Sequence, residues 1–312
     1  MEVLTAVERE RIAALRARDE FFWLDLQDAS DADLEEAGRL LALHELAMED
    51  TREMGQRPKV DRYADAVLVV YWSARPADSG VELLEVHLHI SGGFLLTARR
   101  GPCSGIDGLR ETLPGEPISA EEYIVYRVLD VLTDALYPVI DHIEEQVDRL
   151  EGEILADTTS EQLGAIYRLK QEVHLLQRRL VPQRDQFSAA MEAIQALPGL
   201  TRGPREYLSD VGDHLVQVTG ELHRQADDLA SLTSTYFNAN QNRLNRLATR
   251  LTVMATFFLI WSLVTSFFGQ NFGWLVDHID SLGAFVFYET VGLVLPTILL
   301  GVYFWRRRHE WL

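Results

Sequence analysis

The chain has one cysteine, Cys103, in 312 residues. A lone thiol can neither close an intramolecular disulfide nor build a cysteine metal cluster, and the scarcity suits a reducing compartment. Basic residues are also few: 29 Lys and Arg against 48 Asp and Glu leave a formal net charge of −19. Nucleic-acid binding needs a basic face to neutralise phosphates and is excluded on that ground, whereas cations are natural company for such a chain. The glycine-rich dinucleotide turn, the Gly-Lys-Ser/Thr phosphate loop and a nucleophile with its base are all missing, so the sequence does not read as an enzyme. The opening MEVLTAVERERIAALRARDE has no apolar core before a cleavage site. It is not a signal peptide, and the amino terminus is expected in the cytoplasm.

Near the carboxyl end it is charge that is missing. Residues 251–268, LTVMATFFLIWSLVTSFF, contain no Asp, Glu, Lys or Arg, and their number matches the roughly 17 to 25 residues that a helix needs to cross hydrocarbon. Residues 282–305, LGAFVFYETVGLVLPTILLGVYFW, carry a single carboxylate, Glu289, and an interior proline, Pro296. Both are tolerable where neighbouring groups satisfy them. Polar packing at a subunit contact is the ordinary reading of Glu289; lining a mouth and taking up a proton are the others. Arg243, Arg246 and Arg250 precede the first segment and Arg306, Arg307 and Arg308 follow the second, while 269–281 has no Lys or Arg. This asymmetry predicts two transmembrane helices with both termini in the cytoplasm and a short loop outside, in the cell membrane.

Strand signals stop at about residue 117. From Phe21 to about Leu113 helical stretches such as SDADLEEAGRLLALHELAMED alternate with strand-like AVLVVYWSA, VELLEVHLHI and GFLLTARR, and Ser91-Gly92-Gly93 reads as a hairpin turn. Helical patterns follow over roughly 119–155, 160–197 and 204 onward, with LPGLTRGP at 197–204 as a break. The expected organisation is an α+β cytoplasmic domain at 1–115, a helical stalk at 116–250, a first transmembrane helix at 251–268, an outer loop at 269–281, a second at 282–305 and a basic tail at 306–312.

No Pro or Gly interrupts 221–268, so one helix is expected from the soluble part into the membrane. Ser234, Asn238, Gln241, Asn245, Ala248, Thr252, Ala255, Leu259, Ser262 and Ser266 share one face of it, polar or small almost throughout. Such a face suits either close helix packing or a wet pathway. Two spans cannot enclose a pore alone, so a wet pathway requires several copies in a closed ring. A membrane anchor with helices packed on small residues is the alternative.

Where the first span ends, the chain reads FFGQNFGW at 267–274. Gly269 suits a left-handed helix stop. FGQNF after the first of two terminal membrane helices also resembles the signature of the CorA family of divalent-cation channels, usually Gly-Met-Asn. The likeness extends to WLDL at 23–26, LHELAMED at 43–50, QRPKVDRYADAVLVV at 56–70, YLSDVGDHL at 207–215, NRLNRLATRLTVMATFFL at 242–259 and the tail WRRRHEWL.

The resemblance implies a homopentameric funnel, with the first membrane helices around the pore and the second in an outer ring. It implies a selectivity mouth at Gly269, Gln270 and Asn271, with Asn271 as the amide ring. Family position and the polar stripe together give pore-lining roles to Asn245, Leu251, Thr252, Ala255, Leu259, Ser262 and Ser266, with core packing as an equal alternative for Leu251. It further implies a regulatory divalent ion between neighbouring subunits at Asp50 and Asp210, with Glu49 and Asp213 able to share it. Mg2+ is then both cargo and regulator, with Co2+, Ni2+ or Zn2+ as other cargoes. Gln270 stands where Met is usual; other middle residues occur in the related ZntB group, which moves Zn2+. Asp277 and Asp280 leave negative charge in the outer loop, where acids concentrate cations or are simply solvated. A membrane-anchored metal sensor without transport is a further alternative. His87 and His89 share a strand face, an arrangement open to Zn2+ but more ordinary without a third ligand. His142, His174, His214 and His223 are scattered and lack metalloprotease spacing.

Overall fold

The computed structural model describes residues 1–77, 80–115, 120–201, 203, 205–270 and 273–306. The chain divides into two units, Met1–Glu153 with Thr159–Thr233, and Ile154–Thr158 with Ser234–Leu312.

The first unit is built on a mixed six-stranded sheet. Its elements begin with β1 (Glu2–Leu4), α1 (Arg9–Ala17), β2 (Phe22–Gln27), α2 (Asp31–Leu41), α3 (Glu45–Glu53) and β3 (Lys59–Arg62). They continue with β4 (Ala66–Ala77), β5 (Gly80–Ser91), β6 (Phe94–Arg99), α4 (Ser104–Thr112) and α5 (Glu121–Asp134). Three long helices follow, α6 (Tyr137–Ala156), α7 (Ser160–Gln195) and α8 (Arg205–Phe268), of which α6 and α8 continue into the second unit.

The sheet order is β1-β2-β6-β5-β4-β3, with β1, β2 and β6 parallel and the remaining pairs antiparallel. Side chains alternate across a strand, so the register assigns each residue to a face. One face packs Leu24, Leu96 and Ala98 against Ile12 of α1, Leu34 of α2 and Met48 of α3. The other packs Trp23, Val86 and Leu88 against Ile106 of α4, Val128 of α5, Phe187 of α7 and Leu208 of α8. Burial on both faces explains why β4 to β6 read as near-continuous apolar runs. Each fully buried Leu or Ile there contributes about 1.5–3 kcal/mol.

Local chemistry sets the helix boundaries. Ser30 and Asp33 form a reciprocal capping box at the start of α2. Ala42 then turns left-handed at φ 55°, so the stretch read as one helical run is two helices, α2 and α3. The run expected over 119–155 is likewise split between α5 and α6, where Pro138 in the first turn of α6 brings no N–H to bond backwards. Beyond the end of β3, Gln183 of α7 takes the place of a strand: its Oε1 accepts from Trp72 N at 2.6 Å and its Nε2 donates to Trp72 O at 3.0 Å. The exposed edge of β4 is thereby satisfied.

The second unit continues α8 from Ser234 and adds α9 (Gly273–His278), α10 (Leu282–Glu289), a π-helical turn (Thr290–Val294) and α11 (Leu295–Arg306). Among the described residues two helices, Glu206–Phe267 and Leu282–Arg306, are long and apolar enough to cross a membrane. The π turn stands immediately before Pro296. Proline lacks an N–H and crowds the carbonyl four residues back, and the wider turn accommodates it without ending the helix. Asn271 and the tail beyond Arg306 lie outside the described residues.

Candidate functional site

Within the second unit, α8 lies against α10 and α11 along one face. Val253, Thr256, Phe257, Ile260 and Val264 are half-buried there. Trp261 Nε1 donates to Thr297 Oγ1 at 2.9 Å, and the Phe257 and Phe304 rings are 6.2 Å apart. Asn245, Leu251, Thr252, Ala255, Leu259, Ser262 and Ser266 are exposed on a different side. At 100° per residue the small and polar stripe points about 125° away from the packed face. The neighbour within the chain thus covers only the side of α8 that carries Val253, Phe257, Ile260 and Val264; the small and polar stripe is left uncovered by it, as are bulky Met254, Phe258 and Leu263.

At the end of this helix, Gly269 N still donates to Thr265 O at 2.9 Å, and Gln270 N donates to Phe267 O at 3.3 Å. Gly269 does not adopt a positive φ. The left-handed stop expected at Gly269 is thus corrected: the helix closes by tightening its last bonds from four residues to three. Asp277 and Asp280, after the bend, are exposed. Glu289 borders a cavity of about 200 Å³ with Val264, Thr265, Phe285 and Tyr288.

The acids of the first unit form two separate groups. Asp50, on α3, is 2.6 Å from Lys59 Nζ, which also meets Asp61 at 3.0 Å. Burial works against the lysine charge, but the two carboxylates win and raise its pKa. Glu49, Asp210 and Asp213 are exposed. Asp210 is 3.8 Å from Nε2 of His214, one turn further along α8. His214 Nδ1 faces Asp134 at 3.8 Å and Asp130 at 4.0 Å, both on α5. Ligand atoms of Asp130, Asp134 and His214 lie within 4.8 Å of one another, and among the described residues buried His214 Nδ1 has no hydrogen-bond partner. Burial, then the neighbouring Asp134, raises the pKa of Asp130. Two carboxylates and an imidazole are a donor set for a divalent ion, with the imidazole favouring Zn2+, Co2+ or Ni2+ over Mg2+.

This group was missed in the sequence. The four-residue spacings Asp130–Asp134 and Asp210–His214 were visible and each places its pair on one helix face, but nothing local joins two helices 80 residues apart. His87 and His89 are buried in β5 and bond to Thr51.

The family model described as CorA-like Mg2+ transporter protein matches residues 18–308. The chain belongs to the CorA family. It is therefore a divalent metal transporter embedded in a membrane, and not an enzyme. The cobalt/magnesium transport protein CorA of Thermotoga maritima is 23% identical over 298 residues, covering 93% of this chain and 83% of that protein. The zinc transport protein ZntB of Yersinia enterocolitica is 24% identical over 264 residues, covering 82% and 77%. The fold matches the CorA magnesium transporter structure from Methanocaldococcus jannaschii with a TM-score of 0.78 at 19% identity, covering 93% and 91%. Relatives named for magnesium and for zinc thus stand at nearly equal identity to this chain.

Proposed function

We propose that this CorA-family protein is a homopentameric Mg2+ channel of the cell membrane, with both termini in the cytoplasm and intracellular divalent ion as its regulator. The observation that carries the reading is the division of α8, whose polar and small stripe from Asn245 to Ser266 faces away from the helices packed on it within the chain. Five such faces around an axis make a pathway lined by hydroxyls and amides, with Leu251 and Leu259 as apolar constrictions that gate by dewetting. Gly269, Gln270 and Asn271 form its outer mouth. Mg2+ surrenders its water reluctantly, so amide and carbonyl oxygens suit the hydrated ion, while a carboxylate ring would hold it longer. Asp277 and Asp280 raise the local cation concentration before entry. Influx of Mg2+ into liposomes containing only the purified protein tests the reading; a sensor without transport gives none.

The regulatory ion is assigned to Asp50 and Asp210 of neighbouring subunits, with Glu49 and Asp213 in support. Binding neutralises like charges and holds the ring closed; loss of the ion lets the ring loosen. Lys59, already bonded to Asp50, sets a competing demand. Changing Asp50 and Asp210 together to Ala raises flux at millimolar internal Mg2+ and removes Mg2+-dependent protection from protease. Protection with the wild-type Mg2+ dependence contradicts the assignment.

Gln270 acts on geometry more than on charge. Its amide braces the mouth through hydrogen bonds that a Met cannot make. Gln270→Met keeps Mg2+ transport within a few-fold and leaves ion preference largely unaltered. Conversion of a Zn2+-selective, Mg2+-excluding protein into a Mg2+ conductor by this change replaces the magnesium reading with a zinc one, as in the ZntB group.

A further inference from the structure

We propose that Thr51, His89, His87 and Glu85 form a proton-sensitive latch that holds α3 on the sheet and releases it on acidification. Thr51 Oγ1 is 2.9 Å from His89 Nε2 and 3.1 Å from His87 Nδ1, and it donates to Ala47 O at 2.8 Å. With its one proton spent on that carbonyl, the hydroxyl can only accept from both rings. His89 is then the Nε2–H tautomer, and His87 carries a proton on Nδ1. His87 Nε2 lies 2.7 Å from Glu85 Oε1, so one further proton is shared by this pair. Glu85 also accepts from Gly55 N at 2.5 Å and from Gln56 N at 2.8 Å, fixing the chain just beyond α3. The hydroxyl thus binds α3 to β5 and the carboxylate binds the following turn.

The cluster is closed to water, His87 being 0% and His89 1% exposed. The cross-strand neighbours on its face are Leu68 and Val70 of β4 and Leu96 and Ala98 of β6. The nearby cations direct their contacts elsewhere. Arg52 donates to Met48 O at 3.3 Å, Arg100 to Arg52 O at 2.8 Å, and Arg179 of α7 lies 4.2 Å over Trp72 and donates to Gln56 O at 3.4 Å. Among the described residues no carboxylate is bonded to His89, so an added proton there meets the proton already held at His87.

Burial and His87 push the pKa of His89 down to about 3. Once α3 lifts, the ring meets water and its pKa returns to about 6.5. A depressed histidine pKa means that the closed state binds fewer protons. The latch is therefore at full strength above about pH 6.5 and weakens about tenfold for each pH unit below it, down to the closed-state pKa. The consequence rests on the proposed function, because α3 carries Glu49 and Asp50: acidification displaces these acids and loosens the regulatory ion.

Hydrogen exchange of the full-length protein in EDTA, between pH 7.5 and 5.5, tests the latch without any ion. The protection factors of α3 amides are expected to fall about tenfold from pH 7.5 to 5.5, most of it below pH 6.5, while α4 on the opposite face keeps its protection. His89→Gln, whose amide can still donate to Thr51 Oγ1 but does not titrate, should retain protection at pH 7.5 and lose the pH response. Constant α3 protection in the wild type overturns the proposal, as does a fall in step with α4 or a wild-type pH response in His89→Gln. The wild-type profile decides alone if the variant does not fold. Loss of the Asp50 and Asp210 effect with this profile intact would remove the regulatory reading and leave the latch.

Discussion

Asn271→Ala is expected to abolish Mg2+-dependent uptake while the protein still assembles as wild type. On the proposed reading this side chain supplies one amide oxygen per subunit at the outer mouth, and a ring of such oxygens meets the entering hydrated ion. Alanine removes the proposed ring but leaves the packing between α8 and α11 that rests on Trp261, Thr297, Phe257 and Phe304. Transport and assembly should therefore separate. Uptake by intact cells or liposomes reads the first and native mass spectrometry the second. Unchanged uptake removes Asn271 from the selectivity mouth.

The second large effect is on stability, at the buried acid of β2. Asp25 Oδ2 accepts from Arg99 at 3.1 Å and from Arg110 at 3.0 Å, and its Oδ1 accepts from Thr97 at 2.7 Å. Thr97 in turn accepts from Trp23 Nε1 at 2.9 Å. Asp25 and Arg99 are both wholly enclosed. Asp25→Ala leaves the Arg99 charge inside the fold with only Asp107 and the Gly101 carbonyl. Removing one member of such a pair costs about 3–5 kcal/mol, on the order of a 10 °C fall in thermal midpoint for a unit of this size. Asp25→Leu with Arg99→Met restores a large part, because it removes both charges rather than stranding one. A midpoint for Asp25→Ala within 2 °C of wild type contradicts this account of the core.

These two sites differ in how far they could be read in the sequence. The membrane segments announced themselves by missing charge, and the long helix by missing Pro and Gly; neither property depends on distant contacts. The β5–β6 hairpin was legible for the same reason, since Gly92 and Gly93 mark its turn locally. The charge cluster was not, because Asp25 interrupts an apolar strand and its partners stand 74 and 85 residues away. Ala42 was hidden differently: a non-glycine residue at positive φ carries no compositional mark, and tertiary packing of α2 and α3 decides the break. Likewise the group of Asp130, Asp134, Asp210 and His214 exists only once α5 and α8 pack. The polar stripe of α8 was readable as a periodicity, but its side relative to the neighbouring helices needed the structure.

Initial rates of Mg2+, Co2+, Ni2+ and Zn2+ entry into liposomes containing only this protein, each with and without a pH gradient, test the central claim most directly. The account predicts Mg2+ influx that saturates, persists without a pH gradient and disappears in Asn271→Ala. Zn2+ entry with Mg2+ excluded, or no divalent entry under any condition, would contradict it.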